Sequence, residues 1–109
     1  MAKIASTDEV LAYRLAGQGL AVRASDPLDA PRSWAVQDSP PGSAVAALVA
    51  RTEELPAGWL EEALYERREA VALYNPRTAT AIVPADEAAA FGTAFLPRDD
   101  AGLKAMVAN

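Results

Sequence analysis

Two adjacent prolines, Pro40 and Pro41, lie in the middle of a chain otherwise rich in helix-forming residues, and they constrain its fold more than any other feature. A proline inside a helix removes a backbone donor and clashes with the preceding turn, so two in succession force a break. The break falls in SPPGS, residues 39–43, and any helices must be short and arranged around it. Behind it comes SAVAALVAR, too evenly apolar to face water and far below the roughly 20 residues needed to span a bilayer. It reads as a core helix. Its β-branched valines leave a buried strand as the alternative.

Further elements can be read from their punctuation. Ser6 followed by Glu9 has the spacing of a capping box, and Leu11 and Leu15 then share a helical face until Gly17 and Gly19 end the run. In ASDPLDAPRSW, Asp26 precedes a proline and is pushed out of the α region, which predicts a turn and then a short helix over 28–37. Pro56 opens PAGWLEEALYERREA. There Leu60, Ala63, Leu64 and Arg67 share one stripe, while Glu61, Glu62, Glu66 and Glu69 fall mainly on the other side, as in an amphipathic surface helix.

The period then changes. Val71, Leu73 and Tyr74, the turn signal Asn75-Pro76, and Thr78, Thr80, Ile82 and Val83 predict two strands joined by a short turn. Proline and acids at 84–87 predict another helix start, with Gly92 at its end, and Asp99 caps a last short helix. At 109 residues, 51% hydrophobic but only 6% aromatic, the chain can build one modest core in which alanine, the best helix former, supplies much of the apolar content.

Composition also limits the chemistry. With no cysteine and no histidine, disulfides, thiol nucleophiles, imidazole bases and the usual zinc ligands are unavailable, and neither a metal nor a cofactor is expected. The opening residues MAKIASTDEV lack a secretory apolar run, so no membrane partner and a cytoplasmic location are expected. Ten Lys plus Arg against fifteen Asp plus Glu give a net charge of -5. Duplex binders cluster cations to neutralise phosphates, so this chain alone is expected to bind DNA weakly.

Few residues remain to carry a reaction. Gln37 and Asp38 pair a neutral amide with a carboxylate, which can hold and polarise a water for hydrolysis of an N-glycosidic bond without histidine. Asp, Ser and Pro are also ordinary turn residues, and residue chemistry alone favours a helix end and a cap there. Arg51, Arg67, Arg68 and Arg77 could contact phosphates. Arg51 can equally cap the apolar helix that precedes it, Arg67 and Arg68 sit beside Glu66 and Glu69, and Arg77 falls at the tip of the expected hairpin. Trp34 and Trp59 could stack on a base, although packing is the commoner fate of an indole with apolar neighbours. Glu61 and Glu62 are no acid/base pair, because adjacent positions on a helix point apart.

Taken in order, RLAGQGL (14–20), WAVQD (34–38), AALVART (46–52), ERR (66–68) and PRTATAIVPADE (76–87) form a series. It resembles the amino-terminal part of the bacterial winged-helix DNA glycosylases of the AlkZ type, whose pattern runs RLAxQGL, a LQAQD-like segment, LALxxRT, ERR and RGTxHLVPAED. The resemblance implies an α+β fold, mainly helical with a small β-hairpin: a winged-helix-like single domain over 1–109, either the amino-terminal unit of a longer family chain or a stand-alone relative that has lost catalysis. It also implies a role in removing alkylated or cross-linked bases from DNA.

The family's catalytic motif is Gln, an apolar residue, then Gln or Asp. By position its second member is Gln37, with Asp38 beside it, but its first falls on Ala35, whose methyl group holds no water. In the hairpin the family's histidine position is taken by Ala81. Arg77, at the wing, and Arg51 are then the candidate DNA contacts. With these departures the resemblance implies a DNA-binding, glycosylase-like domain with impaired or absent catalysis. The alternative is a non-enzymatic module that binds a protein partner, which the acidic helices and the lost catalytic position favour. A working site further requires the Gln37 amide to face a concavity between helices.

Overall fold

A computed structural model describes residues 4–32, 35–75, 78–94 and 96–108. Helix α1 (Thr7–Gly17) opens on the capping box expected of Ser6 and Glu9: the Ser6 hydroxyl accepts from the Glu9 amide, and the Glu9 carboxylate accepts from the Ser6 amide at 2.8 Å. After a 3₁₀ turn (Pro27–Asp29), strand β1 (Val36–Gln37) runs up to the proline break. Helix α2 (Ser43–Arg51) and helix α3 (Trp59–Glu61) follow, α3 continuing without interruption into a π-helical turn (Glu62–Glu66). Strands β2 (Ala70–Tyr74) and β3 (Thr80–Pro84) come next, then a 3₁₀ turn (Ala85–Glu87), α4 (Ala88–Thr93) and α5 (Asp100–Val107).

The three strands form one antiparallel sheet in the order β1-β3-β2. Val36 pairs with Ile82 and Gln37 with Ala81, while β2 runs in register against β3 from Ala70↔Pro84 to Tyr74↔Thr80. As the central strand, β3 is buried along Ala81, Ile82, Val83 and Pro84, because α2 packs against β1 on one side and α4 packs against β2 and β3. The core joins Val36, Ala44, Leu48, Trp59, Leu60, Ala63, Ala70 and Ile82. Ala44 and Leu48 lie four apart, so they form the single buried stripe of α2. The strand alternative for 43–51 is thereby decided in favour of the helix.

One expected element is not formed. Among the described residues of the helix expected over 28–37, helical structure is limited to the 3₁₀ turn at Pro27–Asp29, and Val36 and Gln37 pair with β3 instead. The open edge of β3 supplies backbone partners over sequence distances that helical periodicity does not register. Val36 becomes fully buried in the exchange, and β-branched valine suits a strand.

The two terminal helices lie apart from this core. Neither α1 nor α5 buries a side chain. The radius of gyration is 16.6 Å, against about 13 Å for a compact domain of this length. Among the described residues, no helix is long and apolar enough to cross a membrane.

Candidate functional site

Gln37 and Asp38 lie where β1 leaves the sheet. Strand alternation buries Val36 and turns Gln37 outward, so the Gln37 side chain is exposed. Its amide nitrogen donates to the Ser39 carbonyl at 3.2 Å, closing a local turn. Asp38 extends the strand by one bond, its amide donating to the Thr80 carbonyl at 2.8 Å.

The Asp38 carboxylate faces the start of α2. Its Oδ1 accepts from the amides of Gly42 at 2.9 Å and Ala44 at 3.0 Å. These are orphan donors of a helix N-terminus, and Gly42 at the cap position has no side chain with which to satisfy them. Ser43 completes the turn, donating its hydroxyl to the Pro40 carbonyl at 2.6 Å. Ala35, at the companion position, has φ 59, a left-handed conformation that costs a non-glycine residue roughly 1–2 kcal/mol.

Arg51 is the last residue of α2, at the opposite end from Asp38, about 12 Å away along the helix axis at 1.5 Å per residue. Its Nε donates to the Gln18 carbonyl at 2.8 Å and its Nη1 to the Ala47 carbonyl at 3.0 Å. It therefore ties the end of α1 to the end of α2. The strap is continued by Ala24, whose amide donates to the Arg51 carbonyl at 2.7 Å. Arg77 and Trp34 lie outside the described residues. Of the hairpin turn, Asn75 and Ala79 close the loop, with the Asn75 amide donating to the Ala79 carbonyl at 2.9 Å and the Asn75 side chain accepting from the Ala79 amide at 3.1 Å.

Two arginines have clearer electrostatic roles than the sequence suggested. Arg32 bridges Asp86 at 3.0 Å, Asp29 at 3.3 Å and Glu87 at 3.5 Å. The hydrogen bond to Asp86, then that to Asp29, raises its pKa above the ordinary guanidinium range. Arg67 binds Glu69 at 2.9 Å and Glu62 at 2.6 Å, with its guanidinium 6.0 Å from the centre of the Trp59 ring. Glu69, ahead of Glu62, raises its pKa. The Asp29–Arg32 pair, three positions apart in DAPR, is a local signal that the sequence reading did not single out. The link to Asp86 leaves no such signal, since it joins residues 54 apart. Trp59 is 9% exposed and belongs to the core, the packing fate rather than the stacking one. Glu61, Glu62, Tyr65 and Glu66 form the exposed side of α3 and its π turn.

The described elements thus define an α+β domain in which a helix pair is followed by an antiparallel hairpin, with an amide and a carboxylate at the edge of the sheet. The family model for AlkZ-like DNA glycosylases matches residues 30–108, well over half of the chain, and the chain belongs to that family. The matched segment begins after RLAGQGL and α1 and runs beyond Glu87 through α5. Membership places its function in DNA repair. No curated protein matches the chain significantly. Among solved structures, likewise, none gives a significant match.

Proposed function

We propose that the chain is a winged-helix unit of a DNA-repair protein acting on alkylated bases, and that it performs no base excision of its own. The element order supports the winged-helix reading: β1, the α2–α3 pair, then the β2–β3 hairpin as the wing, with β3 between β1 and β2. The observation that carries the loss of catalysis is the placement of Asp38. Its Oδ1 is engaged by two amides of α2, while Ala35 offers only a methyl group where the family has its first catalytic glutamine. Gln37 is left as a single amide in open solvent, where a bound water exchanges with bulk and gains no orientation.

An assay on alkylated duplex DNA tests this, comparing wild type with Gln37→Ala. Both should release base at the background rate; release by wild type that is lost in the variant would refute the proposal. DNA contact, if made, should weaken steeply as salt rises.

The second reading, a non-enzymatic protein-binding module, has its own support. In a winged helix the second helix of the pair approaches the groove, and here that helix presents Glu61, Glu62 and Glu66. Absence of any DNA affinity at low salt would favour this second reading.

A further inference from the structure

The outward face of α2 departs from that of an ordinary surface helix. Val45, Ala46, Val49 and Ala50 line it, with Val45 at 38% and Val49 at 53% exposure. A helix at a protein surface normally places polar residues there; from Ala44 to Ala50 this one has none. Beside that face lies a groove of about 240 Å³, bounded by Val45 and Val49 on α2, Leu55 and Pro56 on the connecting loop, and Trp59 and Glu61 on α3.

Acidic side chains flank the groove. Glu61 is the ionisable residue among its lining, and Glu53 and Glu54 are exposed just past the end of α2. Two nearby arginines are held by neighbours of their own. Arg51 donates to the Gln18 and Ala47 carbonyls, and Arg67 is held by Glu62 and Glu69.

We infer that the α2–α3 groove is a docking surface for a basic amphipathic helix of a partner protein. Val45 and Val49, four apart, form a ridge along α2, and a partner helix laid beside it meets that ridge with apolar residues of the same spacing. Lysines or arginines flanking those anchors then face Glu53, Glu54 and Glu61, which favours a basic partner and speeds its encounter. Nucleic acid does not fit, because an apolar floor offers nothing to phosphates and the rim repels them. A second copy of this chain fits poorly too: α1 carries Arg14 against Asp8 and Glu9, and α5 carries Lys104 against Asp100, so neither helix supplies basic flanks. The inference gives the protein-binding reading a surface and a partner chemistry, and it stands whether or not Gln37 is catalytic.

The test uses two synthetic peptides of about 15 residues, long enough to populate a helix. One has leucines at i, i+4 spacing among lysines, the other the same leucines among glutamates. Binding is followed by fluorescence anisotropy and by amide chemical shifts of the full chain. The Leu/Lys peptide should bind saturably, with shifts confined to the outward face of α2 and to residues 55–61. Val49→Asp should weaken it by about tenfold or more, and Glu53→Lys, Glu54→Lys and Glu61→Lys together should transfer preference to the Leu/Glu peptide.

Equal affinity for the two peptides, shifts centred elsewhere, or no saturable binding would overturn the inference. So would self-association of the chain that Val49→Asp abolishes, since a second copy would then be the occupant. Val49 is exposed, so its replacement should leave the fold intact by circular dichroism. If it does not, the charge-reversed variant decides alone.

Discussion

Asp38 separates a structural from a catalytic account of this sheet edge, and its replacement can be worked through quantitatively. The carboxylate accepts from the amides of Gly42 and Ala44 at 2.9 and 3.0 Å, and α2 has no other side-chain cap on its cap residue. Removing a capping oxygen costs typically about 1 kcal/mol, within a range of roughly 0.5–2. A negative charge at a helix N-terminus adds about 0.3–1 kcal/mol. Asp38→Ala should therefore lose about 1–2 kcal/mol. With an unfolding entropy of about 2.1 cal/mol/K per residue, that lowers Tm by roughly 4–9 °C in a chain of this length. Asp38→Asn keeps an acceptor oxygen and loses only the charge, so it should lose about 0.3–1 kcal/mol. Urea unfolding followed by far-UV circular dichroism measures both, and an unchanged m-value would show that the comparison is of stability alone. If Asp38→Ala is as stable as wild type, or no less stable than Asp38→Asn, Asp38 is not the cap of α2. A loss of base release without a loss of stability would instead make it part of a working site.

Other expectations rest on the same geometry. Leu48→Ala, at a fully buried position in the stripe that α2 presents to the core, should cost about 2–5 kcal/mol in urea unfolding. Arg51→Ala removes the bonds to the Gln18 and Ala47 carbonyls. It should cost about 1–2 kcal/mol and speed hydrogen exchange in α1 while leaving any DNA affinity unchanged; a drop in DNA affinity with native exchange rates would make it a phosphate contact. Gly58→Ala places a Cβ where nothing lies within 4 Å but φ is 75°. Its cost, roughly 1 kcal/mol by thermal unfolding, should come from the backbone alone.

Sequence by itself determined the features that depend on residues a few positions apart. The Ser6–Glu9 capping box, the break at Pro40-Pro41, the start of α5 at Asp99 and the change to strand period after Ala70 are all local, because a cap or a helical face is decided within one turn. The ordered motifs from 14 to 87 likewise pointed to the family to which the chain belongs, whose model matches residues 30–108. Tertiary structure decided everything that required a partner far along the chain. Helical reading of 28–37 failed because β3, more than 40 positions later, offers Val36 and Gln37 an open edge. Gln37 was thereby turned into solvent, Asp38 was committed to the first amides of α2, and Arg51 was tied to Gln18 across 33 positions. These outcomes depend on which unsatisfied backbone groups and apolar faces meet after collapse, and no window of a few residues contains that information.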